Sequence, residues 1–396
     1  MITEFENPDV EFLIIDGNYL EVGTDILFES EFMTTVELNE WAKDNDIRVG
    51  WGRGSAAGSV LSYAFDITNL DPIRFGLMFE RFLVEGRKSM PDIDLDFDDR
   101  HRDRVIEYAR TKYGEDHVAH ICTFNRTGAR QSIRDAARAL GHEFIVGDRV
   151  AKLVPPPVLG VSKSLSECME VAEFKKEYSS NQESKTIVET AFGLEGLVRQ
   201  TGIHAAGIVI SKGALTDYLP IMKKGVDSPV VTQWDMGRVE QCGLLKIDFL
   251  GLRNLGVIDQ CVKIVEKSRG VIIDIESIPL DDKKTYEELG KGNAIGVFQL
   301  ESSGMRELMV QLQPQNIEDI MALISLYRPG PMGSGMDKLF IDRKHNRSKV
   351  EYDHEKLEKV LGPSLGIMLY QEDVLGVARE LAGFSSGEAD DLSKAI

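Results

Sequence analysis

The chain has 396 residues, with 65 acidic against 46 basic side chains and a formal net charge of −19. That length buries a sizeable core and leaves room for two or three domains, and the ordinary composition, with no low-complexity tract, excludes a disordered or fibrous chain. The acidic balance excludes a polyanion binder judged on total charge. The absence of Lys or Arg before Lys43, and of any apolar run near about 18 residues, excludes a basic leader and a membrane span, so a cytoplasmic protein is expected.

In chain order, EFLIIDGNYL (11–20) reads as a strand entering a turn at Asp16 and Gly17. TTVELNEWAKDN (34–45) reads as a helix capped by Thr34 or Thr35, followed by a short strand at IRVGWG (47–52). Helices are predicted at HRDRVIEYARTKYG (101–114), GARQSIRDAARALGH (128–142) and EVAEFKKEYSS (170–180). The three prolines of LVPPPVLGVS (153–162) break regular structure. AAGIVISKG (205–213) and GLLKIDFLGL (243–252) are dense in apolar residues and read as buried strands, and mostly helical patterns come after them, interrupted at YRPGPMGSG (327–335). Cys122, Cys168, Cys242 and Cys261 are far apart, with no CxxC and no His at ligand spacing, and read as reduced structural thiols.

Charge is unevenly distributed. From Arg100 to Lys152 there are eleven Lys or Arg against seven Asp or Glu, whereas the first forty residues contain acids and no bases. Such a segment can follow a phosphate backbone, or can simply be a solvated helix face.

Three stretches carry candidate chemistry. In SMPDIDLDFDD (89–99), strand alternation puts Asp92, Asp94 and Asp96 on one face. Like charges so placed repel unless a cation sits among them. Oxygen ligands suit Mg²⁺ or Mn²⁺ rather than zinc, and two such ions can activate an attacking hydroxyl and stabilise a leaving oxygen in phosphoryl transfer. The alternative is a solvent-facing edge strand whose acids oppose aggregation. In GWGRGSAAGSV (50–60) the backbone of a Gly- and Ser-rich turn can approach a phosphate closely. It matches neither the Walker A pattern nor GxGxxG, and a ligand-free turn between strand and helix is the alternative. In LLKIDFLGLRN (244–254), Asp248 stands in an apolar strand with Lys246 two residues before it on the same face. A carboxylate there needs a salt bridge or an active site.

The segments GRGSAAGS, LDPIRFGLMFERFL, SMPDIDLDFDD, TGIHAAGIVI, VTQWD, GLLKIDFLGL, VFQLESSGM, LYRPGP with FIDRKH, and GIMLYQEDV succeed one another from about Gly50 to the last residue. In that order they resemble the bacterial C-family replicative DNA polymerases, the DNA polymerase III alpha subunits. The resemblance implies an α+β multidomain fold: a palm like the nucleotidyltransferase fold of polymerase beta, a helical thumb inserted into it, and a mostly helical, partial fingers domain. Carried onto this chain, it puts the palm at 1–123 and 201–252, the thumb at 124–200 and the fingers at 253–396. It implies template-directed addition of dNMP to a primer 3′-hydroxyl by two Mg²⁺ ions, with Mn²⁺ as an alternative ion, and release of pyrophosphate.

By the same resemblance, Asp92, Asp94 and Asp248 match the family's metal-binding and catalytic aspartates, with Asp96 a supporting acid. Gly54, Ser55 and Lys246 match contacts to the dNTP phosphates, and Arg81, Arg87 and Lys394 look like further phosphate-side cations, although Ser393 stands where the family has Arg. The basic helices around Arg126, Arg130, Arg134 and Arg138 would grip primer-template DNA without regard to sequence. Partners implied are DNA, dNTPs and, if the polymerase is split, a second polypeptide carrying the rest of the fingers and the C-terminal modules. Fifty residues before the palm motifs are too few for the family's polymerase-and-histidinol-phosphatase domain, so associated proofreading is not expected. A truncated or split polymerase chain, encoded by a bacterium or its phage, is the expectation. Other readings are a fragment that binds DNA or dNTP without extending a primer, and another DxD metal-dependent enzyme, a glycosyltransferase or small nucleotidyltransferase.

Overall fold

A computed structural model describes residues 12–15, 18–21, 26–84, 93–157, 162–223, 225–226 and 228–396, with the backbone alone given before Phe32. Asp92, Arg87 and the turn residues Asp16 and Gly17 lie outside the described residues. The chain forms two compact units, Met1–Gly114 with Ile247–Ile396, and Glu115–Lys246.

The first unit opens with an antiparallel hairpin of β1 (Phe12–Ile15) and β2 (Asn18–Glu21), Ile15 opposite Asn18. Helix α1 (Ile26–Asp44) begins well before the expected caps Thr34 and Thr35. No Gly or Pro interrupts the chain from Ile26 onward, and burial of Phe32 with Val36 one turn later rewards the longer helix; Thr35 ends up in its interior, fully buried. The short strand expected at 47–52 reduces to a single antiparallel bridge between Val49 and Phe97. Gly52, with φ +104°, turns the chain away there, its backbone close against Thr68. A 3-10 turn, Gly54–Gly58, leads into α2 (Val60–Ala64), whose cap Ser59 accepts from the Ser62 N–H at 3.2 Å. Then come a 3-10 turn at Phe79–Arg81, β3 (Asp94–Asp98) and α3 (Arg102–Tyr113), which ends at Gly114.

In the second unit β4 (Val118–Arg126) pairs antiparallel with β5 (Val198–Ile210). On its other side β4 meets β7 (Val231–Thr232), which pairs with β6 (Ile221–Met222). The excursion between β4 and β5 is helical: α4 (Ala129–Ala139), α5 (Phe144–Lys152), α6 (Leu165–Cys168), α7 (Ala172–Ser180) and α8 (Gln182–Phe192). It has its own core of Ile133, Val150, Leu165, Phe174 and Ile187. Pro155–Pro157 belong to no helix or strand. In β5 the residues 204–207 stand against the single Ile121, and the bulge is closed by His204, whose Nδ1 accepts from the Gly207 N–H at 2.6 Å. A neutral His204 therefore carries its proton on Nε2. Helix α9 (Met236–Gln241) covers the sheet through Val239.

Strand β8 (Leu245–Leu252) returns the chain to the first unit and pairs parallel with β3. The rest of the chain is helical: α10 (Arg253–Arg269), α11 (Lys283–Gly290), α12 (Ser303–Leu312), α13 (Ile317–Leu326), α14 (Pro329–Ser334), α15 (Met336–Lys344), α16 (Leu357–Leu361), α17 (Gln371–Ala382) and α18 (Ser386–Ala395). The break expected across 327–335 falls at Tyr327 and Arg328 and again at Gly335, in the left-handed region at φ +76°, with α14 between them because Pro329 occupies its first helical position, where its missing N–H costs nothing. Leu308, Met309, Leu323, Leu326 and Phe340 form the core of this region. All four cysteines are free, and no helix among the described residues is long and apolar enough to cross a membrane.

Candidate active site

The register of β3 on β8 decides which acids meet. Asp94 is the direct partner of Asp248, and Leu95 of Phe249. In-register residues of parallel strands share a face and lie about 4.8 Å apart across the ladder. Alternation then sorts the side chains. Ile93, Leu95, Phe97, Ile247 and Phe249 are each no more than 2% exposed, with the Phe97 and Phe249 rings edge to face at 5.6 Å. The opposite face carries Asp94, Asp96 and Asp98 on β3 and Asp248 on β8. Asp94 and Asp248 are both partly exposed, as is Lys246 two residues earlier on the Asp248 face. Carboxylates so close, reachable by solvent and backed by a rigid apolar layer, suit a hard divalent cation, which relieves their repulsion. Among the described residues no group of three or more His, Cys, Asp or Glu gathers to hold a metal. The acids that meet there are two, and Asp92 lies outside the described residues.

Asp96 has a different environment. It is 8% exposed; the Arg53 Nη2 lies 2.8 Å from its Oδ1, and the Arg53 Nε donates to its Oδ2 at 3.2 Å. Burial pushes its carboxyl above the usual range, and Arg53 opposes that shift. The Gly50 N–H donates to the Asp96 carbonyl at 2.8 Å, and a Cβ on Gly50 would stand 2.7 Å from the Asp96 Cβ. Arg53 is the residue before Gly54, so the Gly-Ser turn is tied directly to the acidic strand. Gly54, at φ +62°, is exposed, and a Cβ there would meet nothing within 4 Å. Ser55 is partly exposed.

Asp98, 1% exposed, is bonded through both oxygens to Arg100, which also reaches Asp259 on α10 at 3.0 Å. The Arg100 guanidinium holds the Asp98 carboxyl below the usual carboxylate range. Gly256 permits this, since a Cβ there would stand 2.9 Å from both the Arg100 Nε and the Asp98 Oδ1. Arg102 donates through Nε to the Phe249 carbonyl at 2.6 Å, bracing β8.

The remaining expected cations among the described residues have internal partners. Arg81 pairs with Glu372 of α17 at 2.6 Å, and the adjacent Glu80 pairs with Arg379 of the same helix at 3.2 Å. Lys394 pairs with Asp390 one turn earlier on α18. In the second unit Arg126 donates to the Gly196 carbonyl at 2.9 Å and Arg130 to the Val154 carbonyl at 2.8 Å. Arg134 pairs with Asp148 at 2.7 Å, and Arg138, 76% exposed, with Asp135 at 2.9 Å. The fold thus brings Asp94 and Asp248 side by side on the paired strands β3 and β8. Sequence reasoning missed Arg53 and the Asp98–Arg100–Asp259 link. The alternation that singled out Asp96 signalled the first, because a buried third acid on the face needs a cation of its own.

An acid from each of two adjacent parallel strands, next to a glycine turn, marks a mixed helix-and-sheet protein with paired carboxylates at its candidate site. The family described as bacterial DNA polymerase III alpha NTPase domain matches residues 18–251, and the bacterial DNA polymerase III alpha subunit finger domain matches residues 254–396. The chain belongs to the bacterial DNA polymerase III alpha family. It is 43% identical over 383 residues to DNA polymerase III subunit alpha of Mycobacterium tuberculosis (strain H37Rv), covering 93% of this chain and 32% of that one. The Aquifex aeolicus subunit alpha is 44% identical over 400 residues, covering 95% and 34% of the two chains. That of Staphylococcus aureus (strain COL) is 46% identical over 376 residues, covering 95% and 35%. The chain spans about a third of the length of these curated relatives.

Proposed function

We propose that this chain is the catalytic-core portion of a cytoplasmic DNA polymerase that adds dNMP to a primer 3′-hydroxyl under template direction. The observation that carries the reading is the in-register pairing of Asp94 with Asp248, acids separated by about 150 residues of sequence yet brought side by side on adjacent strands. Mg²⁺ ions held by Asp94, Asp248 and, by family match, Asp92 would supply charge that lowers the pKa of the primer hydroxyl and neutralises the departing pyrophosphate. Lys246 adds fixed positive charge on the Asp248 side, and the Gly54–Ser55 turn offers backbone N–H groups and a hydroxyl to the triphosphate. The apolar layer of Leu95, Phe97 and Phe249 holds the two carboxylates in place, so little reorganisation accompanies reaction.

In this reading 1–123 and 201–252 form the palm, 124–200 the thumb and 253–396 part of the fingers. Arg138 of α4 faces the primer-template backbone, and Arg126, Arg130 and Arg134 reach it only after leaving the Gly196 carbonyl, the Val154 carbonyl and Asp148. Arg81, Arg87 and Lys394 approach the triphosphate, Arg81 and Lys394 only after leaving Glu372 and Asp390. Family membership disfavours a glycosyltransferase.

Primer extension with Mg²⁺ tests the reading. The wild-type chain, with any completing polypeptide, should add the templated nucleotide when the four dNTPs are supplied singly. Asp94→Ala and Asp248→Ala should each reduce the rate by at least about 1,000-fold. Transfer indifferent to the template would refute the proposal.

A further inference from the structure

Asp96 and Arg53 have no place in the chemistry above, yet they form a part-buried connection between β3 and the glycine turn. Asp96 shares the β3 face with Asp94, but its in-register partner on β8 is Leu250, not an acid. Both of its oxygens face the Arg53 guanidinium, at 2.8 and 3.2 Å. The Arg53 Nε bond to Oδ2 and the charge contact of Nη2 with Oδ1, an oxygen that accepts no hydrogen bond, orient the carboxylate and offset its charge, which makes it a poor ligand for a cation. The turn is held at two points: Gly52 against Thr68 before it, and Arg53 against Asp96 at its threshold. Gly54 and Ser55 come next and open outward, Gly54 with nothing in front of it. Their backbone direction is therefore set by the residue before them.

We propose that the Asp96–Arg53 pair is a positioning device that aims the Gly54–Ser55 turn at a nucleoside triphosphate, so that Asp96 is a positioning residue and not a ligand of the ion. The identity of the ligand rests on the polymerase reading.

The test compares wild type, Asp96→Asn, Arg53→Gln and the double variant in the full chain. Two measurements are made: primer extension at varied dGTP and Mg²⁺ opposite a templating C, and amide hydrogen exchange of residues 50–60 without ligand. Each single variant should raise the KM for dGTP about tenfold, the double variant should be no worse than the weaker single, and half-saturating Mg²⁺ should stay unchanged. Exchange in the turn should quicken about tenfold in every variant, while α3 stays protected. A raised Mg²⁺ requirement in Asp96→Asn alone would make Asp96 a metal ligand and overturn the proposal, as would additive effects or unaltered exchange. If the wild-type chain extends no primer, the polymerase reading fails, and the exchange measurement still decides whether the pair fixes the turn.

Discussion

Asp94 and Asp98 share one face of the same strand, yet they have opposite surroundings. Asp94 is partly exposed beside Asp248, whereas Asp98 is buried and bonded through both oxygens to Arg100. Arg100 depresses the Asp98 pKa in the folded state. A depressed carboxylate contributes stability that is fully present above its unfolded value of about 3.9 and is lost as pH falls through the lower folded value. Asp98→Asn should therefore lower the melting temperature at pH 6 by about 5 °C, with the gap from wild type closing toward pH 3. Thermal unfolding across that range checks it; a gap constant with pH would show that the charge of Asp98 is irrelevant. At this scale, alternation in DIDLDF separates acid from apolar positions correctly, as the burial of Leu95 and Phe97 shows. It gives no means of telling which acid finds Arg53 or Arg100, because those pairings depend on side-chain reach in three dimensions.

Glycines set how closely the elements of the first unit approach. Gly256 lets α10 lie against the Asp98–Arg100 pair, and Gly52 lets the turn close on Thr68, where a Cβ would stand 2.5 Å from the Thr68 Cγ2. Gly54 also has positive φ, but open space in front of it. Gly256→Ala and Gly52→Ala should each cost about 1–3 kcal/mol through forced displacement, and Gly54→Ala about 1 kcal/mol from backbone strain alone. Urea unfolding midpoints order the three; an equal or larger loss at Gly54 would contradict the packing argument. Element types are readable from hydrophobic period for α3, α4, α7, β5 and β8. The start of α1 is not, because Thr34 and Thr35 resemble caps, while the residues before them, free of breakers, extend the helix. The in-register meeting of β3 and β8 lies beyond local pattern, since two strands so distant in sequence acquire their register only in the fold; the family resemblance implies one site for Asp94 and Asp248 but no register.

At the scale of the molecule, the proposed handling of a polyanion by an acidic chain rests on local charge. The basic segment from Arg100 to Lys152 ends in α4 and α5, the first two helices of the second unit's excursion, and the arginines there differ in commitment. Arg134, 34% exposed, is engaged by Asp148 with Nε and Nη2 at 3.1 and 2.7 Å, while Arg138, 76% exposed, reaches Asp135 through Nη2 alone at 2.9 Å. Surface pairs of that kind are worth little and yield readily to a phosphate. Arg138→Ala should reduce the slope of log affinity for primer-template DNA against log salt by about 1. Arg134→Ala should chiefly lower thermal stability. Fluorescence anisotropy from about 50 to 200 mM salt, beside melting curves, separates the two; an unaltered slope in Arg138→Ala removes that arginine from the DNA interface. The excess of bases over this segment is visible in the sequence, whereas its division between internal pairing and open surface is not, because the acids that answer it, Asp135 and Asp148, are chosen by helix packing.

The proposed chemistry depends on Asp94 and Asp248 jointly holding a divalent cation. Mn²⁺ titration of the intact chain read by electron paramagnetic resonance, with and without dATP, measures that directly. Wild type should bind Mn²⁺ more tightly with dATP present, and Asp94→Asn and Asp248→Asn should each weaken binding by at least about tenfold. Mn²⁺ bound equally well by both variants would contradict the account.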